Sequence, residues 1–359
     1  MTITINDVKQ RNFDLDVLRS LGTLIVLLVH SIFWNDLWPK GIGHILSSFV
    51  LIEMPLLFAV TGASNFLSQK NYLPFLAARL SRILIPYWIY AILCVILITD
   101  QNGLVPGLLL SWLNPFANSI SGCDRLRFLN WALWFIPVYL NIMILFPLLK
   151  KFYVLTLDKK VPFVGFLPLI AGIGMVVVHD LFSCDIPQYQ SLFYLVFVYW
   201  GMVCINRGWI GSKRKASAIL GCLTAVALIV LFNTERYGYY MLANKNECNL
   251  VFMLYGLLSQ CVMNLLLPFL SRFIKWIGKI RFCHDILSPF RDYGYSVYLY
   301  HPLIFASIPF ILSYVGLGNI TSSGNPFVIM AVYFSLMAVF SPLLAKYVGK
   351  FELICSRKK

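Results

Sequence analysis

Residues 15–33 read LDVLRSLGTLIVLLVHSIF. A helix needs about 20 mostly apolar residues to cross a bilayer, and this run is long enough. It is too long for the apolar core of a cleavable signal peptide, and no small-residue cleavage site follows it. We therefore expect it to remain in the protein as a first membrane span.

The whole chain has the same apolar character. Of its 359 residues, 59% are hydrophobic and 12% are charged, whereas soluble domains have about 45–50% apolar and about 25% charged residues. This composition predicts an all-α integral membrane protein. The net charge of +14 does not indicate nucleic-acid binding, because the basic residues lie in short clusters between apolar runs.

Apolar runs bounded by charge or by Pro, Gly and Asn predict about ten transmembrane helices in one membrane domain, residues 1–359. The predicted spans are approximately 15–34, 44–67, 83–99, 131–149, 162–178, 191–206, 216–233, 250–270, 293–315 and 327–348. The apolar run 104–113 is too short to span and is interpreted as re-entrant or interfacial.

The basic residues predict the orientation of this frame. With the N-terminus in the cytoplasm, 24 of the 29 Lys and Arg residues fall on the cytoplasmic side and five on the outer side. Cytoplasmic loops of membrane proteins carry this excess of positive charge. Both termini are therefore predicted to be cytoplasmic.

Arg19 and His30 are candidate functional residues, because an ionisable group inside a span is costly and usually marks a site. Eleven positions separate them, which places both on one stripe of a helix, about 16 Å apart along its axis. Asp16 precedes Arg19 by three residues and is placed to pair with it. The alternative is that Arg19 reaches the inner surface and His30 is a satisfied polar residue between helices.

Glu53 is the one acid well inside a predicted span. A carboxylate next to the His30 imidazole would orient the ring and raise its basicity, as in a catalytic dyad. The alternative is a neutral carboxyl that hydrogen-bonds a neighbouring helix.

Three further residues stand out: Arg79 and Arg82 in the predicted cytoplasmic loop before the third span, and His301 in the inner half of the ninth span. Arg79 and Arg82 lie on one helix face, and guanidinium groups suit phosphate, although positive-inside anchoring is the alternative. His301 precedes Pro302, which opens the helical hydrogen-bond ladder and frees a carbonyl. For His301, packing and a functional role remain equal interpretations.

Four stretches carry motifs in a recognisable order. They are Asp14 to Arg19 with His30 (Arg-x10-His), Met54 to Gly62 with Thr61 at a usual Ser, Arg79-x-x-Arg82 with Pro86, and Leu133-Trp134-Phe135 with Tyr298 to Pro302. Together they resemble the acyltransferase-3 family of bacterial membrane acyltransferases, over nearly the whole chain.

The resemblance implies O-acyl transfer from acyl-CoA, usually acetyl-CoA, with no permanently bound cofactor and no metal. The implied acceptor is a lipid-linked or polymeric carbohydrate of the cell envelope (O-antigen, capsule or exopolysaccharide), and the implied location is the bacterial cytoplasmic (inner) membrane, among its lipids. Some members carry a fused hydrolase-like domain; none is present here, so we expect this domain to act alone. The candidate residues are catalytic His30, Arg19 and Glu53, donor-binding Arg79 and Arg82, and secondary His301, Thr61, Trp134 and Asp16.

Two mechanisms and one rival function remain open. Neutral His30 is either the general base for a sugar hydroxyl or the nucleophile that forms an acyl-histidine. The rival function is a transporter or flippase, which also has intramembrane charges and broken helices. The lack of an internal repeat and the scarcity of acids in the spans count against it.

The nine cysteines show no metal-binding spacing. Cys123, Cys184 and Cys248 fall in predicted outer loops, where disulfides are permitted. We expect two of these three to pair.

Overall fold

A computed structural model describes residues 12–37, 47–102, 107–117, 128–234, 236–320 and 325–353, and every regular element within these ranges is a helix. The α-helices are α1 (Phe13–Phe33), α2 (Glu53–Phe66), α3 (Tyr72–Asn102), α4 (Leu108–Leu113), α5 (Phe128–Trp131), α6 (Phe135–Asp158), α7 (Leu167–Phe182), α8 (Tyr189–Asn206), α9 (Arg214–Phe232), α10 (Met241–Glu247), α11 (Leu250–Ile277), α12 (Arg281–Asp292), α13 (Gly294–Tyr314) and α14 (Pro326–Val348). Short 3₁₀ helices cover Ala132–Trp134, Val164–Phe166, Gly318–Ile320 and Gly349–Leu353. The all-α prediction is confirmed.

Among the described residues, nine helical stretches are long and apolar enough to cross a membrane. They are Phe13–Phe33, Tyr72–Thr99, Phe128–Asp158, Val164–Phe182, Tyr189–Asn206, Arg214–Phe232, Leu250–Ile277, Gly294–Tyr314 and Pro326–Glu352. Each coincides with a predicted span, although the helix that contains the third predicted span begins earlier, at Tyr72.

The second predicted span, 44–67, is interrupted in its described part. Residues 47–48 are helical, residues 49–52 form a turn, and α2 follows with 14 residues. Residues 44–46 lie outside the described part of the chain. The run 104–113 contains α4, which has six residues and is too short to span, as expected.

Burial separates helices that face protein from helices that face lipid. In the apolar, membrane-length part of each helix, 67% of the residues of α8 and 61% of those of α1 are buried. Only 11% of these residues are buried in Val164–Phe182, and 17% in α9. An apolar helix that the protein does not cover needs lipid around it. The helix that carries Arg19 and His30 is thus mostly enclosed by protein.

The chain divides into two compact units. The first contains Met1–Ile25, Pro39–Lys70 and Ile144–Arg281, and the second contains Val26–Trp38, Asn71–Met143 and Phe282–Lys359. Helix α1 contributes residues to both, so Arg19 belongs to the first unit and His30 to the second.

In the first unit, α2 and α8 approach each other at two glycines. A Cβ atom added to Gly62 would meet the carbonyl of Val198, and one added to Gly201 would meet the carbonyl of Ala59. Small residues allow helix backbones to pack this closely in membranes. The glycine after Thr61 therefore has a packing role.

In the second unit, tyrosines of α13 tie that helix to its neighbours through backbone carbonyls. Tyr295 donates to Ile83 at 3.1 Å and Tyr300 to Pro86 at 3.1 Å, both on α3. Tyr298 donates to Ala132 at 2.6 Å, in the turn before α6. A buried phenol needs a hydrogen-bond acceptor, and these bonds fix the helix that carries His301.

The expected disulfide between outer cysteines is wrong for Cys184 and Cys248, which are both free thiols. Cys184 is exposed, whereas Cys248 is buried and its Sγ donates to the carbonyl of Lys245 at 3.4 Å. Cys123 lies outside the described residues.

Candidate functional site

His30 of α1 and His301 of α13 form the central contact of the candidate site in the second unit. Nδ1 of His30 lies 2.6 Å from Nε2 of His301. The two rings are parallel within 4°, with centroids 4.7 Å apart. These values describe two imidazoles joined edge to edge by a hydrogen bond.

The backbone assigns the protons in this pair. Nδ1 of His301 lies at hydrogen-bond distance from the carbonyl oxygen of Tyr298. A carbonyl only accepts, so this nitrogen carries a proton, and Nε2 of a neutral His301 is an acceptor. Nδ1–H of His30 then donates to it, and the lone pair of neutral His30 lies on Nε2. His301 is fully buried, where a charged ring would be costly.

Aromatic rings surround this pair. Trp34, four residues after His30, stacks on it with centroids 4.1 Å apart and lies 5.1 Å from the ring of His301. Phe305 meets Trp34 edge-on at 5.1 Å, and Phe128 lies 5.4 Å from Phe305. The histidines therefore lie in an apolar, aromatic environment. Sequence reasoning did not select Trp34, although its i, i+4 spacing from His30 was a signal.

Arg19 is held by two side chains of the first unit. Its Nη1 donates to Oδ1 of Asp16 at 3.0 Å, and its Nη2 donates to Oγ of Ser64 on α2 at 2.7 Å. The predicted pairing with Asp16 is confirmed. Because two acceptors fix the guanidinium, Arg19 is an anchored group, not one that only extends to the membrane surface.

Glu53 has a partner that the sequence analysis did not predict. Its Oε1 accepts from Nζ of Lys245 on α10. Its Oε2 is buried and has no hydrogen-bond partner within the described part of the chain. Lys245 neutralises the charge of Glu53, and His301 is hydrogen-bonded to His30. A pairing of Glu53 with His30 stays a prediction.

The two predicted donor-binding arginines lie on α3 in the second unit and have different surroundings. The guanidinium of Arg79 lies over the ring of Phe75, 5.5 Å from its centroid. Nε of Arg82 donates to Oε2 of Glu352 at 3.2 Å, and the side chain of Arg82 is 32% exposed.

Thr61 and Trp134 both lie next to contacts between helices. Thr61 is half-buried on α2, directly before the close contact at Gly62. Trp134 ends the 3₁₀ turn Ala132–Trp134, whose first carbonyl accepts from Tyr298. Both motifs therefore adjoin helix–helix contacts within their units.

The described residues contain no group of three or more His, Cys, Asp and Glu side chains placed to hold a metal ion. Four residues missed by the sequence analysis contact its candidates, namely Trp34, Ser64, Lys245 and Glu352.

The comparison with known families decides the class of the protein. The family model described as an acyltransferase domain, acyltransferase-3, matches residues 12–346. The chain belongs to the acyltransferase-3 family. Neither the curated proteins nor the solved structures contain a match to it. Membership, with nine membrane-length helices among the described residues, makes the protein a multi-pass membrane acyltransferase and disfavours the transporter.

Proposed function

We propose that this protein is a membrane O-acyltransferase that moves an acetyl group from acetyl-CoA to a hydroxyl of a bacterial cell-envelope carbohydrate. The observation that carries the proposal is the hydrogen bond of 2.6 Å between Nδ1 of His30 and Nε2 of His301. It supports a defined tautomer of His30 whose Nε2 is basic, as proton abstraction from an alcohol requires.

In the proposed reaction, Nε2 of His30 takes the proton of a sugar hydroxyl as its oxygen attacks the thioester carbonyl. The new C–O bond forms, the C–S bond breaks, and the proton passes from His30 to the sulfur of the departing CoA. His30 returns to its neutral state. His301 acts as a positioning residue, because its acceptor nitrogen holds the proton of His30 on Nδ1.

The proposed donor site uses Arg79 and Arg82. CoA is anionic, and guanidinium groups bind phosphate through charge-assisted hydrogen bonds. Support comes from the partial exposure of Arg82 and from the predicted cytoplasmic position of both arginines. The acceptor class, O-antigen, capsule or exopolysaccharide, and the inner-membrane location are supported by the family resemblance.

The direct test is chemical. Purified protein should release free CoA from acetyl-CoA when a glycan extract is present, and a deletion strain should lack O-acetyl signals that the parent's envelope glycans show by NMR. His30→Ala should lower the rate about 10²- to 10⁴-fold, the usual contribution of a general base, with unchanged membrane insertion. A near-normal rate in His30→Ala would exclude this role and make His301 the next candidate base.

A second measurement separates the two mechanisms for His30. With radiolabelled acetyl-CoA and no acceptor, a general base leaves no label on the protein. Label retained on His30 after rapid quenching would support an acyl-histidine instead.

A further inference from the structure

Glu352 is a buried acid beyond the part of the chain that the family model matches. It lies in the 3₁₀ helix Gly349–Leu353, and the match ends at residue 346. Its side chain has no exposed surface. A carboxylate at such a position is retained only where it is paired and hydrogen-bonded.

The two oxygens of Glu352 bind two different elements of the second unit. Oε2 accepts from Nε of Arg82 at 3.2 Å and lies 3.2 Å from Nη2 of the same guanidinium. Oε1 accepts from the backbone N–H of Ser296 at 2.6 Å. Ser296 lies in the first turn of α13, whose N–H groups have no partner within the helix, so the carboxylate caps this helix.

Glu352 holds one edge of the Arg82 guanidinium. A guanidinium has five N–H donors, and Glu352 engages Nε and Nη2 but not Nη1. The side chain is nevertheless 32% exposed. Arg82 is therefore fixed along one edge while part of it stays accessible to a ligand.

We propose that Glu352 is a positioning residue for the acyl donor: it holds Arg82 so that the Nη1 edge meets a phosphate of CoA. This rests on the proposed function. A pre-fixed side chain loses less conformational freedom when the ligand binds. The carboxylate also repels phosphate, so removing it strengthens binding if charge dominates and weakens binding if positioning dominates. We infer that positioning dominates.

The test measures binding of CoA itself to the detergent-purified full chain by titration calorimetry. Glu352→Gln keeps an oxygen for Ser296 but turns an NH2 group toward Arg82, which cannot accept from it. We expect CoA to bind about 5- to 20-fold more weakly, within the range of coupled neighbouring side chains. Arg82→Ala should weaken binding at least as much, and the double variant no more than Arg82→Ala alone.

Asp292→Asn is the matched control. It removes an acid that pairs with an adjacent arginine, Arg291, at 2.8 Å in the same unit, and it should leave CoA binding unchanged. Glu352→Asp is the second variant if Glu352→Gln does not purify as a folded protein; its shorter side chain keeps the charge but does not reach both partners, and it should also weaken binding.

The outcomes separate the two proposals. If Arg82→Ala weakens CoA binding while Glu352→Gln leaves it unchanged or strengthens it, the role of Glu352 is overturned and the proposed function stands. The role of Glu352 is also overturned if Glu352→Gln weakens CoA binding equally in the unaltered protein and in the Arg82→Ala variant. The effect of Glu352 then does not depend on the Arg82 side chain. If the unaltered protein binds no CoA, the proposed donor and the role of Glu352 both fall.

Discussion

Lys245 on α10 and Glu53 on α2, 192 positions apart, form an ion pair inside the first unit. The side chain of Glu53 is 3% exposed and that of Lys245 is 13% exposed. Removing one member of such a pair leaves a buried charge without a partner, which destabilises by about 3–5 kcal/mol.

Glu53→Gln and Lys245→Ala should therefore each lower the unfolding temperature of the purified protein. The double variant should lose less stability than the two single losses added together, because no uncompensated charge remains. Glu247→Gln, at an exposed position on the same short helix, is the control and should have little effect. If Glu53→Gln is fully stable but inactive in acyl transfer, Glu53 acts in the chemistry.

His301 should control activity through the tautomer of His30. His301→Leu removes the acceptor for Nδ1–H, and we expect kcat to fall about 10- to 100-fold, the range for partners that orient a ligating imidazole. His301→Gln offers an amide oxygen near the position of Nε2 and should recover part of the loss. If the Leu and Gln variants are equally impaired and equally unstable, the contact is only packing.

The sequence predicted the features that depend on local pattern. Hydropathy located the long helices, and the spacing of three residues predicted the pair of Asp16 and Arg19. The turn within the second predicted span was not predicted, because the apolar run continues across residues 49–52, which precede α2.

The contacts that complete the site were beyond local pattern. His30 and His301 are 271 positions apart, and Arg82 and Glu352 are 270 apart. Helical periodicity determines which face a residue occupies, but not which distant helix covers that face. Lys245 and Glu352 were not selected as candidates, since nothing in one sequence links them to Glu53 or Arg82.

Position 19 requires a guanidinium side chain. Its two terminal nitrogens donate to Asp16 and to Ser64, and an ammonium does not reproduce this planar fork. Arg19→Lys should therefore impair acyl transfer strongly, whereas Ser64→Ala, which removes one acceptor, should have a smaller effect. Initial rates at saturating acetyl-CoA measure this, and a fully active Arg19→Lys protein would contradict a specific role for the guanidinium.

The orientation of the chain predicts the side on which each loop lies. A reporter inserted at Lys213, between α8 and α9, should report cytoplasm, and reporters at Asp185 and Asn244 should report the outer side, because of the excess of cytoplasmic basic residues. Immunoblots of each fusion control for expression. A cytoplasmic signal at Asp185 is incompatible with the ten-span frame.

Cys184 and Cys248 should differ sharply in reactivity, although both are free thiols in the predicted outer loops. Burial raises the pKa of Cys248 to about 12, partly opposed by the charge of Lys245. The thiolate is the reactive form, and its fraction falls about tenfold for each pH unit below the pKa, so even at pH 9 it is only about one in a thousand.

A membrane-impermeant maleimide applied to intact cells, followed by mass spectrometry of the cysteine peptides, measures this difference. Exposed Cys184 should be modified within minutes at pH 7, while Cys248 should stay unmodified at pH 7 and at pH 9 until detergent unfolds the protein. Cys184→Ser should remove the rapid signal, and denatured protein should label at both positions. Equal labelling of both thiols in folded protein would contradict the burial of Cys248, and labelling of neither without reductant would point to a disulfide that protects them.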